Sequence, residues 1–157
     1  MSQDASPAGT RRYYLEELAL GQIFESPEHT VDAEDMVAYA RAFDPQPFHL
    51  DDAAARGTLF GGLAASGWYT ASLTMRLLVA GGLPLMGGII GGGGEVSWPV
   101  PTRAGDRLSV VSEVIEIAPS RSRPDRGRVK MRCETRNQRG EAVQVLVASL
   151  VVPRKPA

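Results

Sequence analysis

The sequence lacks several features that would point to a secreted, membrane-bound or nucleic-acid-binding protein. Cys133 is the one cysteine among 157 residues, so an internal disulfide is impossible and a reducing cytoplasm is the expected compartment. No apolar run reaches the ~18 residues that a membrane span needs, and Met1–Thr10 has no basic-then-apolar signal peptide. A formal net charge of −1 argues against nucleic acid or an anionic membrane as the main partner. Two histidines and one cysteine are too few for a typical transition-metal site.

The residues that are present predict one folded domain behind a short leader. Hydrophobic residues make up 43% of the chain, which is enough for a core without disulfides. Met1–Arg12 is polar and is expected to be a flexible N-terminal leader. Residues 13–157 are expected to form a single domain, because a chain of this length fits one domain.

A first helix is predicted to begin after Asp32, which is a good N-cap residue. It is predicted to stop at Asp44, because Pro45 disfavours helical geometry in the residue before it. Apolar residues recur at helical spacing between these two points, at Met36, Val37, Ala40 and Phe43.

A second, longer helix is predicted over Trp68–Ala80, ended by Gly81 and Gly82. Its residues are apolar on nearly every side, a pattern typical of a helix buried all round. The glycine-rich stretch Gly87–Gly94 that follows contains no G-x-G-x-x-G motif, so a dinucleotide site has little support. We interpret it as a flexible loop that leads into a short strand over Gly93–Trp98.

The second half of the chain is predicted to be mostly β-structure. In Arg128–Arg136, apolar residues alternate with charged ones, as in a strand with one buried and one wet face. Long strands over Arg107–Ile117 and Ala142–Val152 flank this segment, and short connections between strands favour an antiparallel sheet. The predicted fold class is α+β, with a curved antiparallel sheet wrapped around the long apolar helix.

Asp44 and His49 are the strongest candidates for chemistry. Pro45 and Pro47 stiffen the link between them, so a carboxylate and an imidazole could be held toward one point and deprotonate one water. Spacing alone leaves the alternative open that Asp44 only ends a helix and that His49 is a satisfied core histidine. His29, the other histidine, is interpreted as a surface or packing residue.

Several segments resemble the MaoC-like dehydratase family, which includes the (R)-specific enoyl-CoA hydratases. Phe43–Asp51 resembles the family signature of Asp, any residue, Asn or Gln, Pro, an apolar residue, His, any residue and Asp. Leu59–Trp68 resembles the start of its central helix, and Trp98–Pro101 with Gly105-Asp106 resembles its proline and Gly-Asp turn before a long strand. The resemblance covers roughly residues 13–153 and implies a hot dog fold, in which the sheet wraps a central helix.

The resemblance also implies the chemistry and the partners. It assigns catalysis to Asp44, His49 and the backbone N–H of Gly67, which would polarise a thioester carbonyl, and the product would be an (R)-3-hydroxyacyl thioester. It implies an acyl-CoA or acyl carrier protein thioester as substrate, no cofactor because hydration is not a redox reaction, and a homodimer or larger homo-oligomer. Ser66 and Gln46 stand where many members have His and Asn, which leaves acyl-chain preference open. The expected substrate-binding residues are Gln46, Pro47, Phe48, Ser66 and Trp68.

Two rival functions remain open at this stage. Hot dog thioesterases usually place a catalytic carboxylate on the central helix, and Trp68–Ala80 contains none, which favours the hydratase. A non-catalytic acyl-CoA binding subunit is opposed only mildly by the intact Asp44 and His49. The basic residues Arg128, Lys130, Arg132 and Arg136 are interpreted as a solvated strand face, with contact to coenzyme A phosphates as the alternative.

Overall fold

The computed structural model describes residues 11–157. Its helices are α1 (Ala33–Phe43), α2 (Pro47–Leu50), α3 (Asp52–Ala55) and α4 (Gly67–Leu77), and a π-helical turn (Leu78–Gly82) extends α4. Its strands are β1 (Ile23–Glu25), β2 (His29–Thr30), β3 (Gly91–Ser97), β4 (Arg107–Pro119), β5 (Arg126–Arg136) and β6 (Ala142–Pro153). Of the expected leader Met1–Arg12, all but Arg11 and Arg12 lie outside the described residues.

The strands form one antiparallel sheet with the order β1-β4-β5-β6-β3, and β2 also pairs with β4. The alternation expected in β5 is confirmed, because every second side chain from Val129 to Thr135 is buried. Strands β5 and β6 are joined by a tight turn at Asn137–Gly140, where Gly140 has a φ of +76°, a backbone conformation that favours glycine. The predicted α+β architecture, a sheet packed around one helix, is therefore confirmed.

Helix α4 lies against the concave face of this sheet. Leu73 and Leu77 are buried in the common core, and two buried hydroxyl pairs join the helix to the rest of the domain. Thr70 bonds to Thr102 at 2.9 Å and Thr74 bonds to Thr135 at 2.7 Å. These pairs satisfy polar groups that would otherwise be costly to bury.

The expectation that the long helix is buried all round is wrong. Trp68 is 57% exposed and Met75 is 42% exposed, and both line an open cavity between α4 and strands β3, β5 and β6. The physical reason is that one sheet does not close completely around a helix. The apolar side of α4 next to β3 therefore stays partly exposed.

Helix α1 has the ends that the sequence predicts. The Asp32 side chain accepts a hydrogen bond from the Glu34 amide, and the helix ends at Phe43 with Asp44 as its C-cap. Asp44 has a φ of −151° and a ψ of 67°, outside helical geometry, as expected for a residue before proline. The end of α1 therefore fixes the position of Asp44 and the point from which its side chain extends.

The glycine-rich stretch is only partly the loop that was expected. Gly91–Gly94 begin strand β3, which pairs with β6 and contains an irregularity between Gly91 and Gly93. Glycine has a low strand propensity, but the close approach of β6 favours it here, because a Cβ on Gly94 would lie 2.6 Å from the Val147 carbonyl oxygen. Strand β3 is exposed along most of its length and forms one edge of the sheet. None of the helices formed by residues 11–157 is long and apolar enough to cross a membrane.

Candidate active site

The Asp44–His49 segment folds into one compact turn. Asp44 caps the end of α1, Gln46 is the N-cap of α2, and Pro47 occupies the first turn of α2, where its missing N–H costs nothing. His49 follows on α2, which is a single helical turn. The geometry brings the two side chains together, as predicted.

The carboxylate of Asp44 and the imidazole of His49 face one another. Asp44 Oδ2 lies 3.3 Å from His49 Nε2, and their side chains are 17% and 6% exposed. Both groups are thus mostly shielded from solvent, yet one cavity reaches the histidine. This is the arrangement that a positioned acid/base pair requires.

A backbone carbonyl decides which nitrogen of His49 carries a proton. His49 Nδ1 lies 2.8 Å from the carbonyl oxygen of Ala64, which can only accept, so Nδ1–H is the donor. In the neutral imidazole, Nε2 is then an acceptor that faces the acceptor Oδ2 of Asp44. Two acceptors this close are suited to share the two O–H groups of one water molecule.

Two side chains hold the Asp44 carboxylate in place. Gln46 Nε2 donates to Oδ1 at 2.6 Å, and the Ser66 hydroxyl donates to Oδ2 at 2.7 Å. Burial raises the pKa of Asp44, but the hydrogen bonds from Ser66 and Gln46, together with nearby His49, bring it below its usual value. Asp44 is therefore an ionised acceptor at neutral pH.

Ser66 also begins the central helix. Its side chain is fully buried and accepts a hydrogen bond from the Trp68 amide at 3.2 Å, so it is the N-cap of α4. Gly67 lies between Ser66 and Trp68, and its amide has no hydrogen-bond acceptor among residues 11–157. It points out of the positive end of the helix dipole, where a developing negative charge is stabilised.

The glycine at position 67 is required by its neighbour Trp98. A Cβ on Gly67 would lie 2.7 Å from Cε2 and 2.8 Å from Cδ2 of the Trp98 indole, closer than a real side chain allows. The φ of Gly67 is not positive, so its backbone conformation alone does not demand glycine. The packing of the Trp98 indole on the Gly67 backbone is therefore what excludes a side chain at this position.

A cavity of about 330 Å³ opens beside His49 and Gly67. Its other walls include Phe60, Thr70, Trp98 and Val143. We call it the catalytic cavity. Its size falls at the small end of ligand-binding pockets, and its mostly apolar walls suit a hydrocarbon group beside a few polar ones.

The residues expected to bind substrate occupy different places. Gln46 and Ser66 contact the Asp44 carboxylate, and Pro47 starts α2. The Phe48 ring packs edge-on to His49 with 4.6 Å between ring centroids. Trp68 lines a second, more apolar cavity of about 430 Å³, together with Met75, Leu78, Met131 and residues of β3 and β6. Of this set, none lines the catalytic cavity itself.

Sequence reasoning missed the residue that anchors the loop before α4. Arg103 Nη1 donates to the carbonyl oxygens of Gly62 and Leu63 at 2.8 and 3.1 Å, and Nη2 donates to that of Phe60. This loop leads to the Ala64 carbonyl that orients His49. No sequence signal marks Arg103, because its partners are backbone atoms about 40 positions away.

The remaining candidates stay outside the site. His29 lies in β2 and pairs with Leu108 of β4, away from Asp44 and His49. Residues 11–157 contain no group of three or more His, Cys, Asp or Glu side chains placed to hold a metal ion. In the expected basic face, Lys130 pairs with Glu116, while Arg132 and Arg136 pair with Glu134.

Comparisons with known proteins agree with this fold. Residues 17–140 match the family model described as MaoC like domain. A crystal structure of the MaoC-like dehydratase from Rhodospirillum rubrum is 59% identical, with a TM-score of 0.91, and covers 92% of this chain and 99% of that one. The unliganded R-hydratase PhaJ1 from Pseudomonas aeruginosa is 29% identical, with a TM-score of 0.71, over 90% of this chain and 86% of that one.

A curated relative gives the same result from sequence. The 3-hydroxybutyryl-CoA dehydratase of Methylorubrum extorquens is 34% identical over 115 residues, which are 72% of this chain and 71% of that protein. The hot dog arrangement is shared with the two solved structures. The chain therefore belongs to the MaoC-like domain family, and at the level of that family it is a hydratase or dehydratase.

Proposed function

We propose that this protein catalyses the reversible addition of water to a trans-2-enoyl thioester, giving an (R)-3-hydroxyacyl thioester. The observation that carries the proposal is the distance of 3.3 Å between two acceptors, Asp44 Oδ2 and His49 Nε2, with His49 lining the catalytic cavity. The Gly67 amide, which has no partner among residues 11–157, is the matching donor for the thioester oxygen.

The proposed reaction begins with a water held between Asp44 and His49 and aimed at the β-carbon of the substrate. One of the two residues takes a proton as the water oxygen bonds to that carbon. The electrons of the double bond move toward the thioester carbonyl, where the Gly67 N–H stabilises the developing oxyanion. A proton is then returned to the α-carbon. No redox change occurs, so the reaction needs no cofactor.

The relatives support the substrate class. One is named a 3-hydroxybutyryl-CoA dehydratase and another an R-hydratase, which indicates a 3-hydroxyacyl thioester and its (R) stereochemistry. We therefore propose an acyl-CoA or acyl carrier protein thioester as the substrate. Helix α4 contains no carboxylate, so a thioesterase that uses one on the central helix has no candidate residue here.

We further propose a homodimer, or a larger assembly built from it, in the cytoplasm. Strand β3 is a largely exposed sheet edge, and an edge of unpaired backbone groups needs a cover. A second copy of β3 would extend the sheet across the interface. The free, buried Cys133 agrees with a reducing compartment.

The proposal is tested by hydration of crotonyl-CoA. Loss of the enoyl thioester absorbance should accompany formation of 3-hydroxybutyryl-CoA, and chiral analysis should give the (R) isomer. The purified protein should also run the reverse dehydration on the (R) substrate and leave the (S) substrate unchanged. Turnover of the (S) isomer alone would overturn the stereochemical part of the proposal.

A further inference from the structure

Two cavities adjoin at a pair of tryptophans. Trp98 lines the catalytic cavity, and Trp68 lines the second cavity of about 430 Å³, which is walled mainly by apolar groups. The two indoles are in edge-to-face contact, with 5.1 Å between ring centroids and 81° between ring planes. The indole pair therefore stands between the cavity that contains His49 and the larger apolar one.

The Trp98 indole is fixed on two sides. Its Nε1–H donates to Oε1 of Gln144 at 2.9 Å, and Gln144 is 1% exposed on β6. Its six-membered ring lies directly on Gly67, in the space where a side chain would otherwise stand. Movement of the indole would leave a buried amide oxygen without a partner, which is costly, so Trp98 is a rigid wall rather than a mobile one.

We propose that Trp98, held by Gln144, is a specificity-determining residue that confines the acyl group to the catalytic cavity and so selects short enoyl thioesters. This inference rests on the function proposed above. The catalytic cavity of about 330 Å³ corresponds to roughly ten groups the size of a water molecule, at about 30 Å³ each. A crotonyl thioester and its reacting water fit that space, whereas a dodecenoyl chain of twelve carbons exceeds it and needs the larger cavity beyond the indole pair.

The packing of the Trp98 indole on Gly67 explains why these two residues occur together. The same indole that occupies the space beside Gly67 bounds the cavity into which the Gly67 N–H points. The position of the thioester oxygen and the room left for the acyl chain are then set by one side chain. Removing the indole would join the two cavities and leave the Gly67 amide in place.

The test compares chain lengths in the wild type and in Trp98→Ala. Values of kcat/KM are measured for crotonyl-CoA and trans-2-dodecenoyl-CoA, and calorimetry gives the affinities of butyryl-CoA and dodecanoyl-CoA. We expect the wild type to prefer the four-carbon compounds by about tenfold or more, and Trp98→Ala to shift that ratio toward twelve carbons by about 10- to 100-fold. Ile115→Ala, which truncates an exposed side chain on β4, should leave the ratio unchanged.

Two milder variants decide the question if Trp98→Ala does not fold. Trp98→Phe keeps a ring but loses the Nε1–H donor, and Gln144→Leu removes the acceptor at similar volume, so both should shift the ratio in the same direction by a smaller factor. An unchanged ratio in these folded variants, or a wild type that favours twelve carbons, would overturn the proposal. If no hydration is detected but the expected binding preference is found, the proposed reaction is wrong and the role of Trp98 in selecting short acyl chains is retained.

Discussion

The Ser66 hydroxyl donates to Asp44 Oδ2 at 2.7 Å, which ties the carboxylate to the first turn of the central helix. The same oxygen of Ser66 accepts the Trp68 amide, one residue beyond the Gly67 N–H. The group proposed to bind water and the group proposed to bind the thioester oxygen are thus connected through one buried side chain. Their separation is fixed by the protein before substrate arrives, which is what catalysis by positioning requires.

Replacing either member of the catalytic pair should remove most hydration activity. Asp44→Asn keeps the shape but loses the charge, and His49→Gln loses the ring nitrogen, so each should lower kcat/KM for crotonyl-CoA by ~10²–10⁴. The double variant should be little worse than either single one, because groups that act on one water lose their effect together. His29→Gln, at the other histidine, is the matched control, and multiplicative losses would show that the pair does not share one water.

Removing the Ser66 hydroxyl should move the pH profile. The hydrogen bond from Ser66 lowers the pKa of Asp44, so in Ser66→Ala that pKa rises and the carboxylate protonates at a higher pH. We expect the acid limb of kcat/KM against pH to shift upward. Because the pKa of Asp44 is lowered in the folded wild type, ionised Asp44 contributes stability above its unfolded pKa, and this is lost as pH falls through the folded value.

The same variant should also lose the helix cap, which typically costs about 1 kcal/mol of unfolding free energy. Ser72→Ala removes a hydroxyl from the exposed side of the same helix and is the control for both readouts. An acid limb that stays in place in Ser66→Ala, despite the expected loss of stability, would mean that Ser66 acts only as a cap.

The Gly67 N–H can be tested only after space is made for a side chain. In the Trp98→Ala background, Gly67→Ala keeps the amide proton and Gly67→Pro removes it, so the two variants differ in the proposed donor. Proline is tolerated here, because Ser66 has a φ of −56° and a ψ of 138°, compatible with a following proline at the first helical position. We expect the Pro variant to be slower than the Ala variant by ~10²–10³ in kcat. Equal rates would remove the Gly67 amide from the mechanism.

The oligomeric state should follow from the exposed edge strand. Light scattering at micromolar protein should give a mass at least twice the 16.8 kDa of one chain. The edge strand β3 begins with four glycines and Glu95 is its one charged residue, so few side chains oppose pairing with a second copy, in contrast to typical edge strands of monomers. A mass of one chain at that concentration would contradict the proposed dimer.

Much of the fold could be predicted because local signals and burial agree. The ends of α1 followed from Asp32 and Pro45, and the buried face of β5 followed from a period of two. The strand predicted to start at Gly93 starts at Gly91, and the two earlier glycines were missed because glycine has low strand propensity and their pairing partner β6 lies more than fifty residues later. Burial of α4 was overestimated for a similar reason, since the sequence cannot tell how many sides of a helix the sheet will cover.

Only part of the candidate site could be predicted from the sequence. Asp44 and His49 lie five positions apart, so a stiff local link was enough to suggest the pair. The other parts of the site depend on tertiary contacts. These are the hydrogen bonds of His49 to the Ala64 carbonyl, of Arg103 to the loop before α4, and of Trp98 to Gln144. Each joins positions far apart in the chain through a backbone atom or an amide, and such contacts leave no pattern in spacing or composition.

The most direct test of the account follows the oxygen atom of water. Crotonyl-CoA is incubated with the protein in ¹⁸O-labelled water, and the products are analysed by mass spectrometry. We predict intact 3-hydroxybutyryl-CoA with one labelled oxygen on the β-carbon, and no such product with His49→Gln. Free coenzyme A beside crotonate labelled in its carboxylate would mean that the water attacks the thioester carbonyl, and the assignment of Asp44 and His49 to hydration would be wrong.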